Sequence, residues 1–254
     1  MSSLSDIETR IHTIIDLLDS PDITSINVGL TTLQQLLYDL LPYITKYYNN
    51  KTSPNTTNIH QIPTQLQRFI DLQDNFQYNL CEHLVNIYRL ENITSTEDIL
   101  LQCNNLVQGL VLIHPNSRKL FHRSKNMKTI LDLLEASEKI SIELTMSIIT
   151  TLIHILLKDF KNYRVFEEQN GCSILIRRFK LSSFDLTQKN INSKQSNLQN
   201  LNFKIIEFLM FYLTEESVVN NPNPKSIQDK SNLFKSDFPE IDDLIESLNQ
   251  LKDL

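Results

Sequence analysis

Cys172 and Arg178 are separated by five residues, in the run Cys172-Ser173-Ile174-Leu175-Ile176-Arg177-Arg178. At that spacing a thiolate and a guanidinium can attack and hold a phosphate ester. The chemistry needs a loop whose backbone N–H groups all converge on the phosphate. Here the intervening residues include three large aliphatics and no glycine. They are expected to form a helix that buries Ile174 and Leu175, with its N–H groups consumed internally. Cys81, Cys103 and Cys172 are odd in number and far apart, with neither a disulfide framework nor a metal-ligand pattern. Each lies within an apolar helical pattern and reads as a small buried hydrophobe. Cys81-Glu82-His83 places its two potential ligands two positions apart on a helix, where they point in different directions. No two of the six histidines are spaced three or four apart, and H-E-x-x-H does not occur. The only glycines are Gly29, Gly109 and Gly171, so no G-x-G-x-x-G or Walker loop exists to cradle a nucleotide. No catalytic, cofactor-binding or metal-binding residue is assigned, and the chain is expected not to be an enzyme. No cofactor and no small-molecule substrate are expected.

Charge gives a second class of candidates. The net charge is −6, unevenly spread. Residues 1–100 carry 5 basic and 12 acidic side chains, residues 101–180 carry 12 and 7, and residues 181–254 carry 7 and 11. A basic middle therefore lies between acidic flanks. The candidate partner-binding residues are Arg118, Lys119, Arg123, Lys125 and Lys128, then Lys161, Arg164, Arg177 and Arg178. They read either as a solvated face or as a site for an acidic or phosphorylated protein segment. Arg118 and Arg164 have a further reading, as residues that hold a short helix by bonding local carbonyls. Nucleic acid is not expected, because the chain is acidic overall and no aromatics interleave the basic residues as stacking platforms. The N-terminal MSSLSDIETR has no apolar signal core, and no uncharged stretch is long enough to insert in a membrane. A reducing compartment is expected.

The elements that must position these residues are helical. Apolar residues make up 41% of the chain, and three glycines compare with an average usage of roughly 7%. Repeated tight hairpins are thereby excluded. Ser5-Asp6-Ile7-Glu8 reads as a capping box opening a helix with Ile7, Ile11, Ile14 and Leu18 on one stripe. After Pro21-Asp22, a second helix carries Leu30, Leu33, Leu37, Leu40 and Leu41, and Pro42 is expected to end or kink it. Residues 49–63 form a polar loop with a minimal phosphosite, Ser53-Pro54. A third helix is expected through Leu66, Phe69, Ile70, Phe76, Leu80, Leu84 and Tyr88. Thr94-Ser95-Thr96-Glu97 caps the next.

From there the chain repeats. Adding 46 to Cys103, Leu106, Val107, Leu110, Val111 and Arg118 gives Ile149, Leu152, Ile153, Leu156, Leu157 and Arg164. Each unit reads as a long helix (97–113, 140–158), a short one (115–122, 160–168) and a third (126–136, 171–180). A three-helix unit with a period of 44–46 residues is an armadillo/HEAT signature, and the expected fold is an all-α helical repeat solenoid. The repeat domain is assigned to residues 1–215, with polar loops at 49–63 and 182–200. A flexible linker is expected at 216–239, followed by a C-terminal amphipathic helix at 240–254 that either caps the array or binds a partner.

Several blocks, in order, resemble a known family. Ile113-His114-Pro115-Asn116-Ser117-Arg118-Lys119-Leu120-Phe121, with Asn126-Met127 and Leu131-Asp132-Leu133-Leu134, is the first. The second is Asn162-Tyr163-Arg164-Val165-Phe166-Glu167-Glu168 with Gly171 and Phe179-Lys180. Ile206 to Leu213 and Asp242 to Leu248 follow. Together they resemble the fungal cell division control protein 14 family, the septation initiation network component and not the phosphatase of the same name. The resemblance implies an armadillo-like regulatory subunit that binds a germinal-centre (Ste20-like) protein kinase. It implies a role in septum formation and cytokinesis, in the cytoplasm and at the spindle pole body. It carries over no kinase-contact residue. Repeat character alone leaves another outcome open: an armadillo-type adaptor for some other protein or peptide. Importin-like grooves repeat Trp and Asn, and this chain has no Trp.

Overall fold

The computed structural model describes residues 4–52, 62–91, 93, 96–136, 140–179, 193–217 and 221–252. Among them the fold is all-α. The chain divides into two units, Met1–Leu120 and Phe121–Leu254.

In the first unit, α1 (Leu4–Leu18) and α2 (Ile23–Thr52) pack side by side. The Asp22 carboxylate accepts the Ser25 N–H at 2.9 Å and so caps α2. Gly29 permits the close approach: a Cβ there would lie 3.0 Å from Leu17 Cβ and 3.0 Å from Leu18 Cδ2. Ile11, Ile14, Ile26, Leu30 and Leu33 are fully buried. Pro42 does not end α2, which runs on to Thr52. Pro42 and its neighbours Tyr38 and Leu41 are exposed, so water can take the Tyr38 carbonyl that the missing N–H releases. The expected polar loop therefore starts later than residue 49. Residues 53–61, with Ser53-Pro54, lie outside the described residues, as do Thr94 and Ser95 of the expected capping box.

The expected third helix is two helices, α3 (Thr64–Asp74) and α4 (Leu80–Ile87). Phe76, expected on the apolar stripe, instead sits in the turn between them and is 85% exposed. α5 (Glu97–Ile113) matches its expected bounds and packs against α2 and α4. The short helix that follows, Pro115–His122, is a 3-10 helix.

The second unit holds α6 (Ser124–Glu135), α7 (Ile142–Leu156), α8 (Phe160–Glu168) and α9 (Gly171–Ile176). Ser141 caps α7 and Asp159 caps α8 through side-chain acceptors. α9 stops short of residue 180. Its last residues pass into i→i+3 bonds, Arg178 N–H to Leu175 O at 3.1 Å and Phe179 N–H to Ile176 O at 2.9 Å. α10 (Ser193–Tyr212) packs along α7. The polar loop expected at 182–200 is therefore helical from Ser193, and residues 182–192 lie outside the described residues. Phe166, Phe208, Tyr212 and Phe234 are fully buried, with ring centroids 5.6 to 5.9 Å apart between neighbours.

The linker expected at 216–239 is corrected for residues 221–239. They contain α11 (Ile227–Asn232), opened by a capping box between Ser226 and Asp229, and they bury Lys230, Phe234 and Phe238. α12 (Ile241–Lys252) follows, with Ile241 and Leu248 buried.

Candidate functional site

The structure sorts the basic candidates into two kinds. Lys119, Arg123, Lys125, Lys128 and Lys161 are exposed. Lys128 is paired along α6 with Asp132 at 2.6 Å. Lys119 belongs to the first unit and the other four to the second. Arg118, Arg164 and Arg178 serve the fold. Arg118 is buried. Arg178 donates to the Glu135 carbonyl. Arg177 is half exposed and lies 3.8 Å from both Glu135 and Asp237. Arg164, expected to bond local carbonyls, bonds carboxylates instead, those of Glu167 and Glu216. Exposed surface charges away from such networks contribute little to folding. Lys125→Glu and Lys161→Glu are each expected to shift stability by less than about 0.5 kcal/mol, read as an unchanged urea midpoint.

Two polar networks organise the described residues, and the basic pattern pointed to only one member of them, Arg164. The first lies at the α3–α4 turn. The Gln73 carbonyl accepts from Asn79 Nδ2 at 2.7 Å, and Gln73 Oε1 accepts the Leu80 N–H at 2.9 Å. Asn79 also caps α4 and donates to Ser117 Oγ at 3.1 Å. His114, buried, bonds Ser117 Oγ through Nδ1 and Asp74 through Nε2, both at 2.9 Å. Asn116 adds a 3.1 Å bond to Asp74. The His114 bond holds the Asp74 carboxyl below its ordinary value, with Asn116 assisting. His114, Asn116 and Ser117, the first three polar residues of the first block, thus pin the α3–α4 turn.

The second network anchors α11. Lys230 is 0% exposed. Its Nζ donates to the carbonyls of Tyr212 at 3.0 Å and Thr214 at 2.8 Å, and pairs with Glu216 at 3.2 Å. It also lies 5.1 Å from the Tyr163 ring centroid and 5.2 Å from that of Tyr212. Glu216 accepts in addition from Arg164, from Asn221 Nδ2 at 2.8 Å and from the Lys225 N–H at 3.0 Å. Glu167 accepts from Lys225 Nζ and from the Tyr212 hydroxyl, each at 2.6 Å. Burial alone would raise the Glu216 carboxyl. The Lys225 N–H, Asn221 and Lys230 outweigh it and hold the group below its ordinary value. Burial lowers Lys230, against the opposing pull of Glu216.

Cys172 lies inside α9 beneath this network, with Sγ 3.7 Å from the Tyr212 hydroxyl, and burial pushes its thiol up to about 12. The residues between Cys172 and Arg178 are helical as far as Ile176, and Ile174 and Leu175 are buried, as expected. Cys81 and Cys103 are buried too, and burial raises both thiols. Among the described residues no His, Cys, Asp and Glu converge as a metal site, and no helix is long and apolar enough to cross a membrane.

Comparison with known proteins decides the family. The profile described as "Cell division control protein 14, SIN component" matches residues 7–225. The chain belongs to this family. A relative named "Cell division control protein 14", from Schizosaccharomyces pombe, is 28% identical over 168 residues. That alignment covers 61% of this chain and spans 63% of the relative's length. No solved structure matches. Membership of a SIN-component family supports a part in septation initiation. The family match covers both networks up to Lys225 and ends before Lys230.

Proposed function

We propose that the chain is a non-catalytic regulatory subunit that binds a germinal-centre (Ste20-like) protein kinase in the septation initiation pathway. It acts in the cytoplasm and at the spindle pole body, and it positions or stabilises the kinase domain without contributing to phosphoryl transfer. The observation that carries this reading is the family match across residues 7–225. The chemistry of the thiols agrees with it: all three are buried, and burial holds them in the protonated, unreactive form. The order long helix, short helix, third helix recurs at 97–135 and 142–176, which supports an armadillo-type repeat. The exposed cations of the second unit, Arg123, Lys125, Lys128 and Lys161, supply contacts to acidic groups of the partner, while Arg118, Arg164 and Arg178 serve the fold.

Affinity purification of the tagged full chain from dividing cells, with mass spectrometry and a kinase assay on the eluate, tests this. A stoichiometric Ste20-like kinase is expected. It is expected to be lost from a Lys125→Glu, Lys161→Glu double variant whose unfolding is unchanged. A kinase retained by that variant moves the contact elsewhere. No kinase from cells caught during septation, or another protein in its place, overturns the reading and leaves a helical adaptor.

A further inference from the structure

We propose that a cleft in the first unit, between α1 and the α3–α4 turn, docks a segment of a partner protein that carries one large apolar side chain flanked by Lys or Arg. The cleft has a volume of about 370 Å³, and Ile15, Asp19, Phe76, Tyr78, Glu82 and His83 are among its lining residues. It is distinct from the basic residues of the kinase reading and stands whether or not a kinase is the partner.

Phe76 carries the argument. Phe76 is 85% exposed, and it stands at the edge of a cleft that Ile15 and Tyr78 also line rather than alone on an open surface. Its exposure does not come from a loose loop. Asn75 accepts the Gln77 N–H at 3.0 Å through its side chain and the Tyr78 N–H at 2.9 Å through its carbonyl. Gln73 and Asn79 close the turn from either side, and Ser117 ties Asn79 down. The Tyr78 hydroxyl donates to Glu8 at 3.4 Å, and the same carboxylate is held by Arg68. His12 meets the Tyr78 ring edge-on at 6.3 Å. The backbone that carries Phe76 is thus fixed beside Ile15 and Tyr78, and the ring itself is open to water. An aromatic on a fixed turn at the edge of a pocket is the arrangement of an interface anchor, because the backbone around it has little freedom left to lose on binding.

Charge selects the occupant. Asp19 lines the cleft with its carboxylate 47% exposed while it bonds His83 at 2.8 Å. Asp16, 73% exposed, stands one turn along α1 beside His12. Glu82 lines the cleft as well. With two carboxylates and no Lys or Arg among its lining residues, and with Ile15, Phe76 and Tyr78 beside them, the cleft favours a basic and apolar segment and repels an acidic one.

The test selects peptides from a random phage-displayed library on the full chain, then measures their affinity by fluorescence anisotropy. The selected peptides are expected to share a large apolar residue with Lys or Arg within four positions. Phe76→Ser, an exposed change that leaves the fold intact, is expected to weaken them about tenfold or more. Asp19→Asn, which keeps an acceptor for His83, is expected to weaken them less and to flatten their salt dependence. Four results overturn the proposal: no peptide selected, a selected set without basic residues, affinities indifferent to Phe76→Ser, or a dimer of the chain that Phe76→Ser dissociates. The last would make a second copy the occupant. Any of the four, beside a captured kinase, removes this inference and leaves the kinase reading standing.

Discussion

Glu216→Ala is expected to destabilise the second unit by about 3–5 kcal/mol, the cost of breaking a buried ion pair from one side, and to cost more than removing Lys230 from the same network. The order follows from counting charges. Arg164, Lys225 and Lys230 face Glu167 and Glu216, and the Glu216 side chain is 1% exposed. Without Glu216, three cations share one carboxylate, and Asn221 and the Lys225 N–H lose their acceptor as well. Without Lys230, the remaining charges balance. Lys230→Met keeps most of the volume and forfeits chiefly the bonds to the Tyr212 and Thr214 carbonyls, about 1–3 kcal/mol. Urea unfolding gives the magnitudes, and amide exchange locates them. Protection is expected to fall first at residues 226–238, which Lys230 ties to α10. A Lys230→Met variant less stable than Glu216→Ala would show that the lysine is held by its carbonyls and rings rather than by the carboxylate. Acid adds a second readout. Because the folded Glu216 carboxyl titrates below its ordinary value of 4.5, its contribution is complete above that pH and is lost as the pH falls below it. Glu216→Gln is expected to remove that part of the acid sensitivity.

Lys230 also marks where sequence reading stops. The helices at 97–113 and 160–168 were legible because apolar residues recur there at helical spacing between clear breaks, and the structure gives the same bounds. The segment 221–239 reads as linker because Asn221-Pro222-Asn223-Pro224 has no apolar period, and a lysine is almost never fully buried unless paired. Its anchors are one aliphatic amine and two phenylalanines, Phe234 and Phe238, whose partners lie far back in the chain. Tertiary pairing of this kind leaves no local signature. Phe76 fails for the opposite reason. It fits the apolar stripe of one long helix, but Asn75 and Asn79 break that helix by offering side-chain oxygens to the backbone, and the register is lost. The basic middle was legible as composition, yet composition does not separate Arg164, consumed by carboxylates, from Lys161, which is exposed three residues before it.

Gly171→Ala is expected to destabilise the second unit by about 2 kcal/mol, although alanine is the better helix former. Propensity alone favours alanine over glycine by up to about 1 kcal/mol. Sterics oppose it. A Cβ on Gly171 would lie 2.3 Å from both Cδ2 and Cε2 of Phe166 and 2.7 Å from its Cζ. Phe166 is fully buried, with Phe208 at 5.6 Å and Tyr212 at 5.9 Å between ring centroids, so the ring has no space into which to retreat. Tyr212 is in turn bonded to Glu167, so a displaced ring also strains the ionic network above it. Gly109→Ala in α5 is the control of opposite sign. The nearest atom to its Cβ is Leu37 Cδ1 at 3.9 Å, an ordinary contact, and a gain of up to about 1 kcal/mol is expected. Urea unfolding of the two variants beside the parent measures both. If the Gly171 variant is stabilised as well, Phe166 can move, and the aromatic core of the second unit is looser than its packing distances imply.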